Sequence, residues 1–399
     1  MITVDEGSFF AIIVTAALAA VTVVVLPRRL APPVVVIELL LGIVIGPQVL
    51  GIADSDEFID FFSNLGLGML FFFAGYEIDF ERIRGKPLTL GAWGWLLSLV
   101  LAYGLGGALA AAGIVVSFLY TGSAMATTAI GTLIPILRDG GELHTRFGNY
   151  LLAAGAVGEF GPILLITLFL STTQPLHEAV ILVAFIIIAL LLALTSVRLA
   201  WRGLPVLERT LEASSQLAVR IATVLVFGLV LLASKLGLDL LLGGFVAGMI
   251  VRAALRGHEL EAFESKLTAV GFGFLIPFFF VGSGINFDLA ALGSAAAIGK
   301  LFLFLGLFLV VRGVPALLLY RHALSARERL ALAFFCATEL PLVVAITTLA
   351  IDAGEMRSST AAGLVGAAML STLIYPFVAM ALRRGETATG PEAEATAAA

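Results

Sequence analysis

The chain has 399 residues, 60% hydrophobic and only 13% charged, with a formal net charge of -5 and a mean hydropathy of +1.09. Soluble domains carry about 25% charged residues, so this composition excludes an ordinary water-soluble enzyme or binding module and marks a membrane chain. Its apolar runs last about 17 to 25 residues instead of alternating over about ten, which is the pattern of helices crossing a bilayer and excludes an outer-membrane barrel.

In chain order, apolar runs bounded by charged or Gly/Pro-containing turns fall at 7–27, 32–51, 59–76, 88–112, 115–137, 147–171, 176–197, 214–234, 239–254, 266–286, 295–320, 328–351 and 358–382, about thirteen segments in all. The start, MITVDEGSFF, is acidic where a secretory signal is basic, so the first run is read as a retained helix. With the N-terminus outside, the inner loops collect Arg28, Arg29, Arg82, Arg84, Lys86, Arg138, Arg146, Arg198, Arg202, Arg209, Arg252, Arg256, Lys266, Arg321, Arg327, Arg329, Arg383 and Arg384, and the outer loops keep only Lys235 and Arg357. One miscounted helix would invert every later loop, so the same bias supports the segment count. Trp93, Trp95 and Trp201 fall near the inner edge, as interfacial anchors do. The lone Cys336 excludes an internal disulfide and is read as helix packing. Residues 1–384 are thus expected to form one transmembrane domain. GETATGPEAEATAAA, at 385–399, reads as a disordered cytoplasmic tail.

The chain repeats itself. FFFAGYEIDF from Phe71 recurs as FFFVGSGINF from Phe278, and ELLLG from Glu38 recurs as DLLLG from Asp239, at nearly equal offsets and with opposite direction across the membrane. That is the inverted-repeat arrangement of secondary transporters, which puts a substrate site near the bilayer midplane, where helices are often broken.

An ionisable residue in hydrocarbon costs at least about 2.5–3.5 kcal/mol and calls for a partner, a cavity or a function. Glu159 lies mid-segment in AVGEFGPILL, with Gly158, Gly161 and Pro162 leaving room beside it for water or an ion. Such a carboxylate holds either a proton or a cation, because burial penalises its bare charge. Arg312, in FLVVRGVPALL, and Glu339, in CATELPLVV, each need a counter-charge; they pair with each other, or Arg312 faces Glu159. Thr121, Ser123, Thr127 and Thr128 in TGSAMATTAIG offer hydroxyls and, if unwound, carbonyls to Na+ or K+, or else bond their own helix. Lys300 and Arg220 are placed to snorkel, Glu38 to line an entrance, and the four histidines fall in loops. Enzyme and cofactor readings fail: HEAVI at His177 and HELEA at His258 lack the second histidine of a zinc site, and Gly104, Gly106 and Gly107 sit in a membrane helix with no strand before them.

LAPPVVVIELLLGIVIGPQVLGI (30–52), LGLGMLFFFAGYEIDFERIR (65–84), ATTAIGTLIPILRDGGELHTRFGN (126–149) and IPFFFVGSGINFDL (276–289) resemble the cation:proton antiporter-2 branch of the sodium/proton exchanger superfamily, which includes potassium-efflux antiporters. The resemblance implies an all-α, thirteen-helix membrane fold with a dimerisation domain and a mobile six-helix core. In that core two broken helices cross, here the fifth and twelfth segments. It also implies a cytoplasmic-membrane homodimer exchanging Na+ or K+ for H+. The family's paired acidic motif in its sixth segment falls on Gly158 and Glu159, so one carboxylate remains, and the first position has no side chain. Arg312 matches the family's basic residue and Glu339 its twelfth-segment acid. One acid with an Arg implies one-for-one exchange. The potassium-efflux relatives' nucleotide-binding domain is not expected after the membrane part. Beside antiport stand two other readings: a cation channel or uniporter without proton coupling, motivated by Gly158, and an organic-solute symporter on a similar scaffold.

Overall fold

The computed structural model describes residues 5–26, 33–78, 83–143, 145–165, 180–189, 191–192, 194–195, 216–236, 240–255 and 261–387, and none of these lies in a strand. The helices are α1 Glu6–Val25, α2 Val34–Ile45, α3 Glu57–Glu77, α4 Lys86–Ala111, α5 Phe118–Met125, α6 Ile130–Asp139, α7 Arg146–Leu165, α8 Val180–Ala189, α9 Leu217–Lys235, α10 Leu240–Ala254, α11 Glu261–Val270, α12 Ile276–Ile285, α13 Ala295–Leu319, α14 Ala326–Cys336, α15 Pro341–Asp352 and α16 Ser358–Thr387. Among the described residues, eight helical stretches are long and apolar enough to cross a membrane, and shorter apolar helices accompany them. The expected segments appear in order. The all-helical, polytopic reading holds. Of the expected inner-loop residues, Arg28, Arg29, Arg82, Arg198, Arg202, Arg209 and Arg256 lie outside the described residues, with Trp201, His144, His177 and His258. So does the expected tail, except for Gly385–Thr387, which continue α16.

The chain divides into two compact units. One takes Met1–Asp79 with Ile163–Phe287, the other Phe80–Pro162 with Asp288–Ala399. In the first, α1 and α3 start on aspartates that satisfy their free N–H groups: Asp5 Oδ1 accepts from Gly7 N at 3.0 Å and Ser8 N at 3.2 Å, and Asp56 Oδ1 accepts from Ile59 N at 2.7 Å. The helices then pack backbone against backbone. A Cβ on Gly42 of α2 would strike the Val281 carbonyl oxygen of α12, and one on Gly284 the Leu39 carbonyl oxygen. α3 and α10 meet in the same way, Gly75 against Phe245 O and Gly248 against Phe72 O. In lipid, helix association rests on van der Waals contact rather than on excluding water, so the close approach that glycine permits is itself the stabilising term. Beside these contacts Phe9, Phe58, Phe62, Phe274 and Phe278 form a cluster with ring centroids 4.9 to 6.0 Å apart. A π-helical turn, Gly271–Leu275, separates α11 from α12.

The second unit is built differently. α4 buries an edge of small residues, Gly91, Gly94, Ser98, Ala102 and Gly106, and packs on α5 and α13. The fifth and twelfth segments are broken, as the resemblance implies: α5 stops at Met125 four residues before α6 resumes after Ala129, and α14 stops at Cys336 before α15 starts at Pro341. Proline opens α15 at a position whose N–H would have no helical partner anyway. At the far end of α16, Arg383 makes a two-pronged ion pair with Glu142 (Nε to Oε1 2.9 Å, Nη2 to Oε2 3.0 Å) and a third bond from Nη1 to Glu328 Oε1 at 3.0 Å, while its guanidinium lies 4.5 Å from the centre of the Phe147 ring. Glu328 also completes the capping box that starts α14 on Ser325. One side chain thus ties the last helix to the turn before α7 and to the start of α14.

With side-chain exposures of 8% and 4%, the Arg383–Glu142 pair is one in which removing a single partner strands a buried charge. Arg383→Ala is expected to cost about 3–5 kcal/mol and to lower the melting temperature of the detergent-purified protein clearly. An unchanged melting curve would show that this cluster does not hold the unit together.

Candidate functional site

The two breaks cross inside the second unit, and they bond to each other. Ala129 N donates to Thr338 O at 2.8 Å, Thr128 Oγ1 donates to Cys336 O at 2.6 Å, and Thr128 N donates to Gly158 O at 3.1 Å. These bonds take up backbone groups that the breaks would otherwise leave open, each worth several kcal/mol in a medium without water. Four helix ends meet at the cross: the N-termini of α6 and α15, which carry partial positive charge, and the C-termini of α5 and α14, which carry partial negative charge.

Charged side chains are distributed to match. Arg312 of α13, 4% exposed, donates from Nε (3.0 Å) and Nη2 (2.7 Å) to Thr128 Oγ1, from Nη1 to Ser98 Oγ (3.1 Å) and from Nη2 to Ala154 O (3.3 Å). Through Thr128 the guanidinium bears on the last carbonyl of α14. Glu339, fully buried, lies two residues ahead of Pro341, at the positive start of α15. Its backbone is fixed on both sides, with N donating to Ser371 Oγ at 3.0 Å and O accepting from Ser371 Oγ and Thr372 Oγ1 at 3.1 Å each. Neither carboxyl oxygen of Glu339 makes a hydrogen bond. The Thr127 hydroxyl is close by, with its proton directed to Ala124 O at 3.1 Å. Arg312 and Glu339 therefore sense each other's field without forming a contact ion pair. The pairing anticipated from the sequence is replaced by neutral hydrogen bonds and helix ends.

The hydroxyls anticipated as cation ligands are engaged. Thr128 Oγ1 has one proton and two lone pairs, and donating to Cys336 O while accepting twice from Arg312 uses all three. Ser123 Oγ lies 3.1 Å from Tyr103 Oη.

Glu159 stands on α7, 3% exposed, with Pro162 inside the same helix. Its glycine neighbours are explained by what fills the space beside them. A Cβ on Gly158 would land on Arg312 Nη2 and come within 2.9 Å of Thr128 Oγ1. The guanidinium occupies the volume that a side chain at 158 would need. A Cβ on Gly161 would land on the Trp95 ring, whose Nε1 donates to Ala126 O at 3.1 Å. Trp95 is thus half-buried at the crossing instead of serving as an interfacial anchor, the role that Trp93, 62% exposed, fits.

Sequence reasoning missed Ser98, Trp95, Ser371 and Thr372. The small-residue edge of α4 carried the signal for Ser98, which lies on it, and the missing side chain of Gly161 the one for Trp95. Ser371 and Thr372 are separated from Glu339 by a whole turn between segments. Lys300, expected to snorkel, reaches Ser359 Oγ and Thr360 Oγ1 at 3.4 and 3.3 Å, away from the crossing. Glu38 belongs to the first unit.

The chain matches the family model described as sodium/hydrogen exchanger, transmembrane, over residues 13–382. It is 27% identical over 270 residues to the Na(+)/H(+)-K(+) antiporter GerN of Bacillus cereus, covering 64% of this chain and 66% of that one. It is 25% identical over 358 residues to the putative Na(+)/H(+) antiporter YjbQ of Bacillus subtilis, covering 85% of this chain and 57% of that one, so the match spans less than two thirds of either relative. The fold is that of the solved sodium proton antiporter MjNhaP1 from Methanocaldococcus jannaschii, with a TM-score of 0.65 at 18% identity over 95% of this chain and 96% of the other. With crossed half-helices, a buried carboxylate beside them and a family match over nearly its whole length, the protein belongs to the sodium/hydrogen exchanger family of transmembrane proteins.

Proposed function

We propose that the protein exchanges one monovalent cation, Na+ or K+, for one H+ by alternating access, as a homodimer in the cytoplasmic membrane with its N-terminus outside and its C-terminus in the cytoplasm. It performs no enzymatic chemistry. The observation that carries this reading is a buried carboxylate, Glu159, on the helix that hydrogen-bonds directly to the crossed half-helices.

A carboxylate buried this deeply can hold a proton or a small cation, and the two compete for it. The two other buried charges belong to the crossing itself and are not the group that takes up cargo. Arg312 rests on Thr128, Ser98 and Ala154, and Glu339 balances the start of α15. Glu159 is then the group whose occupancy changes, with cation oxygens supplied near the Ser123–Thr128 break as Arg312 and Thr128 rearrange. One switching carboxylate carries one proton or one cation per cycle, so exchange is electroneutral. The matched relatives are named as cation/proton antiporters, which favours coupled exchange over an uncoupled channel or a solute symporter. GerN's name includes K+ beside Na+. The packing of α2 on α12 and of α3 on α10, each pair joining one copy of a repeated motif to the other motif's second copy, supports the internal inverted repeat.

In proteoliposomes with an imposed pH gradient and the voltage clamped by an ionophore, added Na+ or K+ should collapse the gradient for wild type. Glu159→Ala should do so no faster than empty vesicles, and exchange at the wild-type rate by that variant would sink the proposal. Imposing 100 mV should leave the reversal point of exchange unmoved. One net charge per cycle would instead bias it by about 2.3 kcal/mol, roughly fifty-fold. Gly158→Ala pushes a methyl into the Arg312 guanidinium and should slow exchange by about tenfold, with the cost of overpacking, about 1–3 kcal/mol, visible as a lowered melting temperature. Wild-type exchange in this variant would show that the slot is not needed.

A further inference from the structure

Glu38 is the one acid singled out in the sequence that the exchange site leaves unused. It lies in the first unit on α2, 3% exposed, and its Oε2 is buried without a hydrogen bond. The residue lines a cavity of about 450 Å³ between α1, α2 and the π-helical turn leading into α12, together with Ala16, Ala20, Phe272, Phe274 and Phe278. π-helical turns recur at functional sites, and this one supplies two of the three aromatic walls. Next to the cavity, α1 is apolar and exposed at Leu18 and Val21.

The lining decides what fits. A hard inorganic cation takes about six oxygen ligands, and a bound water needs 2–4 polar partners; the cavity offers a single carboxyl among hydrocarbon and aromatic rings. An organic ammonium ion needs only one counter-charge, brings its own hydrocarbon to match the walls and gains from phenyl faces near its nitrogen. The volume lies within the roughly 300–1,000 Å³ usual for small-molecule sites. We propose that the Glu38 cavity is a binding site for a lipophilic ammonium ion, an alkyl- or arylalkylamine in its protonated form, paired with the Glu38 carboxylate and separate from the exchange site.

The test is calorimetric titration of the full-length protein in lipid nanodiscs with n-octylammonium, against empty nanodiscs and with n-octanol as the uncharged analogue. The expected result is saturable binding of octylammonium that octanol does not compete away, weakened at least tenfold by Glu38→Gln and unchanged in Glu159→Ala. Ala16→Phe, which fills the cavity and leaves the carboxyl in place, should abolish the binding and keeps the test open if the Glu38 variant fails to fold. Wild-type affinity in Glu38→Gln or in Ala16→Phe would overturn the proposal. Competition by octanol equal to that of octylammonium would make the cavity a plain hydrocarbon groove, and loss of binding in Glu159→Ala would move the ligand to the exchange site; either result also overturns it.

Discussion

A polar group that cannot reach water must find its partner within the protein, and in this chain that constraint is most severe at the crossing of α5–α6 with α14–α15. Interrupting a helix in hydrocarbon exposes peptide groups at several kcal/mol each, a cost no apolar packing nearby can offset. Here the interruptions satisfy one another, Ala129 bonding Thr338 and Thr128 bonding both Cys336 and Gly158. Once the backbone is tied in this way, the positions of the charges follow from the ends of the half-helices. Arg312 bears on the end of α14 and Glu339 stands at the start of α15, so each buried charge meets a partial charge of opposite sign instead of a full counter-ion.

The segment pattern was legible from the sequence because bilayer thickness dictates run length, and a run of apolar residues carries that information locally. α4, α13 and α16 fall where the hydropathy places them. The breaks were less legible. A four-residue interruption does not lower the mean hydropathy of a segment, and only the cluster of hydroxyls around Thr127, together with the family resemblance, pointed to the fifth. The burial of Glu159 was legible because a lone acid amid glycines is conspicuous in the middle of an apolar run. The partner of Arg312 could not, because counting charges suggests pairing it with an acid, whereas its real partners are a threonine and a serine whose value lies in where the fold puts them. Trp95 misled for a related reason: residue type and membrane depth suggest an interfacial anchor, and only the missing Cβ of Gly161 makes room for the indole further in.

The two units answer the lipid environment in contrasting ways. The first gains cohesion from contacts between backbones at Gly42, Gly284, Gly75 and Gly248, and from a phenylalanine cluster, interactions that have no charge state and nothing to exchange. The second spends its small residues differently. Gly158 and Gly161 admit a guanidinium and an indole, and the polar bonds made there can be exchanged for others.

That difference bears on how a buried site can be both specific and mobile. Thr128 Oγ1 is saturated while Arg312 rests on it, so the hydroxyl becomes available to an arriving cation only if the guanidinium withdraws. Arg312 can withdraw only toward another acceptor, and the vacant carboxyl oxygens of Glu339 lie within reach of its field. In the proposed cycle a cation entering beside Glu159 replaces the proton that leaves it, so the net buried charge stays the same, and the shift of Arg312 toward Glu339 only redistributes charge already present. In that proposed cycle the slot left by the missing side chain of Gly158, which the guanidinium fills here, is the place that Arg312 leaves and returns to.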